Sequence, residues 1–259
     1  MGVGEVVMPT FRTTTAACSR EVTALRAVCD GCDSPRVHEE HVAEPALWLV
    51  TAGAFELRDR RGTRVLDPSC AIALAPGEPF TIRHPAGPDT CIALRGTVVA
   101  ALVTDRSRVL RLDARTHAGI IAAVAACRRG DADALAIADA LAPLDPSETS
   151  ERGELADALA HELQLSFAEP TSLDALAGAV GTSVFHACRA FRRATGETLH
   201  GYRRRLRVRH ALALLVDSDA PLADVAAQTG FASQSHLTNL FRAELGTTPG
   251  RVRARRGLA

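Results

Sequence analysis

Leu173-Asp-Ala-Leu-Ala177-Gly-Ala-Val-Gly181 and Leu222-Ala-Asp-Val-Ala226-Ala-Gln-Thr-Gly230 carry one pattern at two places in a chain of 259 residues. Each is followed by a phenylalanine and a glycine, Phe191 and Gly196 in the first copy, Phe241 and Gly246 in the second. The offset is 49 residues up to the first glycine and 50 beyond it, so the second copy holds one more residue in its turn. Each copy has the grammar of a helix-turn-helix. Leu173, Leu176, Ala177 and Val180 fall at the i, i+3, i+4, i+7 spacing of one buried helix face. Thr171 and Asp174 make a capping-box pattern before it, and Gly181 supplies a turn where positive φ is cheap only for glycine. The next helix is expected over about 183–194, with Ala187, Ala190, Phe191 and Ala194 inward and Phe185, His186, Cys188, Arg189 and Arg192 outward. In the second copy Pro221 suits a helix start, Leu222, Val225 and Ala226 face inward, and Gly230 turns the chain. Its second helix, over about 233–245, buries Leu237, Leu240, Phe241 and Leu245 and exposes Gln234, Ser235, Thr238, Asn239 and Arg242. Faces of this kind suit base edges in a major groove.

Charge supports a nucleic-acid partner. Residues 171–259 hold 13 Arg against 6 acidic residues, while residues 1–170 hold 17 Arg against 24 acidic residues. A basic tail on an acidic body is the footprint of a DNA-binding domain. Between the copies one long helix is expected over about 199–216, carrying Arg203, Arg204, Arg205, Arg207 and Arg209. They spread around the helix, so two or three are expected in solvent and the others on phosphate.

With these residues in view, Tyr202-Arg-Arg-Arg-Leu-Arg-Val-Arg-His-Ala211-Leu-Ala-Leu-Leu215, Leu222 to Ala226, Gly230-Phe231, Ser233-Gln234-Ser235-His236-Leu237, Phe241 and Gly246-Thr-Thr-Pro249 closely resemble the AraC/XylS family of transcription regulators. The resemblance covers about residues 168–254. It implies a seven-helix domain whose two recognition helices enter successive major-groove segments about one helical turn apart. Carried over by position, it places Phe185, Cys188 and Arg189 of the first copy, and Gln234, Ser235, Thr238 and Asn239 of the second, at the bases. Arg189 is the leading candidate, since a bidentate arginine–guanine pair discriminates by about 1–3 kcal/mol. Asn239 stands where the family often has arginine, and Val252 where it usually has an aromatic. The implied partners are double-stranded DNA, a second copy of the chain in a homodimer, a small-molecule effector and RNA polymerase.

The rest of the chain reads as α+β. Residues 1–112 alternate short apolar runs with turn signals: Leu47 to Leu57 around Gly53, Arg64-Val-Leu, Ala71 to Ala75, Phe80-Thr-Ile and Cys91 to Leu94. That spacing suggests a small sandwich or barrel. The family resemblance, with Gly53 and Pro76-Gly77, points to a cupin-like β-barrel acting as an effector sensor. Residues 113–167 turn Ala- and Leu-rich with helical periodicity, as expected of a dimerisation and linker segment. Residues 168–259 form the DNA-binding domain, with helix-turn-helix units at 173–194 and 222–245.

The apolar stretches are far too short to span a bilayer, and no secretory leader is visible. Seven cysteines, an odd number, argue for reduced thiols and a cytoplasmic setting with no membrane partner. The chain has no lysine, which excludes a phosphate-loop or Schiff-base lysine. His38-Glu-Glu-His41 lacks the zinc-protease spacing and the paired histidines of a cupin metal site, for which His84 alone would supply the last ligand. Cys29-Asp-Gly-Cys32 can chelate zinc, with His38, His41, Cys70 or Cys91 completing a tetrahedron. The candidate metal set is therefore Cys29, Cys32, His38, His41 and Cys91, with zinc the candidate cofactor. No serine elbow or glycine-rich phosphate loop is present, so no catalytic residue is assigned. The reading is a non-enzymatic DNA-binding regulator governed by a small-molecule, metal or redox signal. Two others stay open: a constitutive dimeric regulator with a non-sensing barrel, and a metal-dependent cupin enzyme with an accessory DNA domain.

Overall fold

A computed structural model describes residues 12–18, 21–29, 39–84, 89–103, 105–146 and 152–257. Nine strands come first: β1 (Arg12–Cys18), β2 (Thr23–Cys29), β3 (Ala46–Ala52), β4 (Phe55–Asp59), β5 (Gly62–Leu66), β6 (Cys70–Leu74), β7 (Thr81–Arg83), β8 (Asp89–Arg95) and β9 (Arg108–Arg111). They form a six-stranded antiparallel sheet in the order β1-β2-β8-β3-β6-β9 and a three-stranded one in the order β5-β4-β7. The expected barrel is corrected on this point. Among the described residues the ladders run as two sheets and do not close into one ring. The apolar run Leu47 to Leu57 is two strands, because the chain turns at Gly53 (φ 78°) and passes from one sheet to the other. The edge strands β1 and β9, and β2 next to β1, are not marked in the sequence; they are threonine- and alanine-rich or bounded by arginines, with no clear alternation.

The alternation that does exist sorts side chains onto two faces. Trp48 and Val50 of β3, with Cys70, Ile72 and Leu74 of β6, face the small sheet, where they meet Phe55, Leu57, Leu66 and Phe80. Leu47, Leu49, Ala71 and Ala73 point the other way. Both faces being covered explains why β3 and β6 read as nearly continuous apolar runs.

Ten helices complete the described chain: α1 (Thr97–Ala100), α2 (Ala114–Arg129), α3 (Ala134–Leu141), α4 (Glu154–Ser166), α5 (Leu173–Ala179), α6 (Val184–Thr195), α7 (Leu199–Asp217), α8 (Leu222–Gln228), α9 (Gln234–Leu245) and α10 (Pro249–Gly257). The outer face of the large sheet shares one core with Ile120, Ile121 and Val124 of α2 and Ile137 and Leu141 of α3. The same core holds Val208, Leu212 and Leu215 of α7, Val225 of α8, and Leu237 and Phe241 of α9. A second core joins Leu159, Ala160 and Leu163 of α4 to Leu176, Phe191, Tyr202 and Leu206. The segment read as one linker thus divides by packing, α2 and α3 lying on the sheet and α4 against the first repeat unit. Among the described residues no helix is long and apolar enough to cross a membrane.

A buried polar cluster crosses these cores. Arg152, just before α4, donates to Asp67 Oδ2 at 2.8 Å, to the Val65 carbonyl at 2.6 Å and to Tyr202 Oη at 3.0 Å. The Tyr202 hydroxyl donates in turn to Asp67. One cluster therefore joins the β5–β6 turn, the start of α4 and the central helix α7.

Candidate nucleic-acid interface

The two repeat units are built by the same local rules. Ser183 accepts the His186 amide at 3.3 Å and Ser233 the His236 amide at 3.1 Å, so each second helix starts on a serine cap. Each ends on a left-handed glycine, Gly196 or Gly246, whose amide donates to the carbonyl of Arg192 or Arg242 at 2.9 Å. The turns run from Val180 to Ser183 and from Thr229 to Ser233, which accounts for the extra residue in the second copy. Gly230 has φ 73°, and a Cβ there would collide with the Ala168 carbonyl, so the second turn is seated against the chain leaving α4. Two details are corrected. Ser172, not the Thr171/Asp174 box, caps α5, through the Ala175 amide at 3.1 Å. That makes Leu173 the first helical residue, where its side chain leaves the stripe and is 44% exposed.

Phe191 and Phe241 anchor α6 and α9, and both are fully buried. Phe191 meets Tyr202 edge to face at 5.1 Å, beside Ala187 and α4. Phe241 and Leu237 sit in the core shared with α2 and α7. Ala190, Ala194, Leu240 and Leu245, expected inside, are only half-buried at the margins.

On the opposite face of α6, Phe185 is 75% exposed, His186, Arg189 and Arg192 are exposed, and Cys188 is half-buried. On α9, Gln234, Ser235, Asn239 and Arg242 are exposed. Thr238 is half-buried, its hydroxyl donating to the Gln234 carbonyl at 2.8 Å. His236 stacks edge-on to Phe231 at 5.4 Å, which steadies the turn before α9.

The arginines fall into two groups, and this revises the expectation for α7. Each of its five has a partner within the chain. Arg203 donates to the Thr171 carbonyl at 2.8 Å, and Arg204 to Glu244 at 2.8 Å. Arg205 pairs with Glu197, and Arg207 donates to the Phe167 carbonyl at 2.6 Å beyond the end of α4. Arg209 is buried and donates to the Leu112 carbonyl at 2.7 Å. Burial holds its pKa below the usual arginine range, opposed by the nearby Asp67 charge. These arginines thus brace α7 to the elements around it. By contrast Arg189, Arg192 and Arg193 of α6 and Arg242 of α9 are exposed, and among the described residues no acidic side chain pairs with them.

Of the candidate metal ligands, Cys29 and Cys91 are buried inside the N-terminal domain, and His41 is exposed. Cys32 and His38 lie outside the described residues. Cys29 gathers instead with His84, weighed from the sequence only as a cupin ligand, and with Asp89, which the sequence did not single out. Cys70 faces the Asp67 turn, where burial pushes its thiol up to about 12.

A family model described as a helix-turn-helix domain matches residues 176–255. The chain is 32% identical over 142 residues to the HTH-type transcriptional activator RhaR of Klebsiella pneumoniae, covering 50% of each. It is 35% identical over 92 residues to the probable transcription factor PqrA of Proteus vulgaris, covering 36% of this chain and 75% of that one. Among solved structures, the DNA-binding domain of AdpA in complex with a target DNA is 32% identical. The match covers 40% of this chain and 97% of that one at a TM-score of 0.37. The chain spans half the length of RhaR. RhaR is a transcriptional activator and PqrA a probable transcription factor; neither is named as an enzyme.

Proposed function

The chain belongs to the AraC/XylS family of helix-turn-helix transcription regulators, and we propose that it reads a specific duplex DNA site with α6 and α9 in the major groove. One observation carries the proposal: Arg189, Arg192 and Arg242, exposed and without acidic partners among the described residues, lie on the outer faces of two capped, core-anchored helices. Arg189 pairs with guanine, Gln234 and Asn239 with adenine, and the exposed Phe185 ring suits a thymine methyl. Arg192 and Arg242 meet phosphate, which positions the protein without reading sequence.

The N-terminal domain receives the signal, and a homodimer with access to RNA polymerase is the working form. The supporting feature is a cleft among β2, β8, α2 and the end of α7, lined by Arg26, Ile92, Ile121, Val124, Arg128 and Val216. Arg26 bridges it to Asp217 at 2.8 Å. A small apolar acid seated between the two guanidiniums would alter how α7 meets the sheet, and so the population able to bind DNA. The test is selection of bound duplexes from a random pool by the full chain, then repetition with Arg189→Ala. Enrichment of one site, with base preference relaxed at one position in the variant, supports the proposal. Equal affinity for all duplexes would defeat it.

A further inference from the structure

Three metal-ligating side chains from both sheets meet inside the N-terminal domain. Cys29 ends β2, Asp89 begins β8 directly opposite it in register, and His84 follows β7. One ligand atom from each lies within 4.8 Å of the other two. All three are buried, at 0%, 2% and 6% exposure for Cys29, Asp89 and His84. His84 Nδ1 stands 2.5 Å from Asp89 Oδ1, and the Cys91 thiol donates to Asp89 Oδ2 at 3.1 Å. The Phe55 ring lies 6.1 Å from the imidazole, and Phe80 and Cys91 belong to the apolar core around it.

A carboxylate beside a thiol in an apolar interior is costly unless a cation joins them. One divalent ion closes the balance. Thiolate and carboxylate supply two negative charges, the imidazole ligates as a neutral group, and the ion supplies two positive charges. We propose that Cys29, His84 and Asp89 form a zinc site that ties the two sheets together. The donor set decides the ion: thiolate and imidazole suit zinc, whereas magnesium and calcium take oxygen ligands. Three protein ligands leave the fourth tetrahedral position for water or a small ligand. Cys91 is not a ligand in this arrangement; it fixes the carboxylate through the other oxygen. The site differs from the pattern of Cys29 with Cys32, and it stands independently of how the protein reads DNA.

The test uses full-length protein from zinc-supplemented cells, stripped of loose metal by gel filtration and analysed by mass spectrometry for metal. About one zinc per chain is expected in the unmodified protein and in the control His41→Ala. Cys29→Ser and Asp89→Asn should fall to background, and Cys91→Ala should bind zinc about 10–100-fold more weakly. Because a core substitution can unfold the domain, cobalt added to the metal-free unmodified protein supplies a second reading. A thiolate-to-cobalt charge-transfer band with intense four-coordinate visible bands is expected. Metal-free protein after zinc supplementation, full zinc content in Cys29→Ser or Asp89→Asn, or a cobalt spectrum without thiolate charge transfer would overturn the assignment. DNA selection by the same samples reports separately on the reading faces.

Discussion

Replacing Arg152 by methionine should destabilise the fold by about 3–5 kcal/mol, because it leaves a buried carboxylate without its cation. The guanidinium donates to Asp67, Val65, Tyr202 and Asp157 at 2.6–3.0 Å, and Asp67 is 0% exposed. Burial pushes the Asp67 carboxyl up, but the Arg152 charge and hydrogen bonds from Ser69 and Tyr202 outweigh it and hold the pKa at about 2, against 3.8. That gap corresponds to about 2 kcal/mol of stabilisation by the ionised form. The folded value lies below the unfolded one, so this contribution is complete above pH 3.8 and is lost as pH falls through about 2. Without Arg152, burial acts unopposed by that charge and raises the Asp67 pKa. Denaturant titrations of the unmodified protein, Arg152→Met and Arg152→Met/Asp67→Asn at pH 7 and pH 5 measure this. The single variant should lose about 3–5 kcal/mol at pH 7, and its deficit should shrink at pH 5. Adding Asp67→Asn should restore part of the loss. A deficit under about 1 kcal/mol, or an equal deficit in the double variant, would refute the reasoning.

His117 gives a second pH effect. Its Nε2 lies 2.8 Å from the Val50 carbonyl, and burial, then the Arg209 charge, hold its pKa at about 3 against 6.5. The unfolded chain binds this proton first, so the contribution of His117 is complete above pH 6.5 and drains as pH falls toward about 3. At pH 5 the loss is about 2 kcal/mol, and His117→Gln should flatten the stability profile between pH 6.5 and 5. Phe191→Ala and Phe241→Ala should each cost about 3–5 kcal/mol in denaturant titrations, since both rings are fully buried. Arg192→Ala should lower the slope of log affinity against log salt by about one unit and leave the denaturation midpoint unchanged. Arg207→Ala, which removes a brace on α4, should do the reverse, costing about 1–3 kcal/mol of stability at an unchanged slope.

The repeat was legible because helix caps, turn glycines and the Phe191 and Phe241 anchors are local signals with fixed spacing. The extra turn residue, read from an offset, reappears between Thr229 and Ser233. What the sequence hid was non-local. Five arginines spread around one helix suggest solvent for some and phosphate for the rest until neighbouring carbonyls and carboxylates are placed around them. The division of Leu47 to Leu57 between two sheets depends on where the chain goes after Gly53, and periodicity is silent on that. Asp89 meets Cys29 through strand pairing and His84 through the fold, and neither is marked by the Cys29–Cys32 spacing around which the candidate set of Cys29, Cys32, His38, His41 and Cys91 is built.

The proposed function depends on two reading faces that recognise different halves of one DNA site. Binding of Arg189→Ala and Asn239→Ala to every single-base variant of the selected duplex tests this most directly. Arg189→Ala should erase a preference for guanine in one half-site and Asn239→Ala a preference for adenine in the other, each at about 1–3 kcal/mol. Uniform weakening across all variants would make both residues backbone contacts and contradict it.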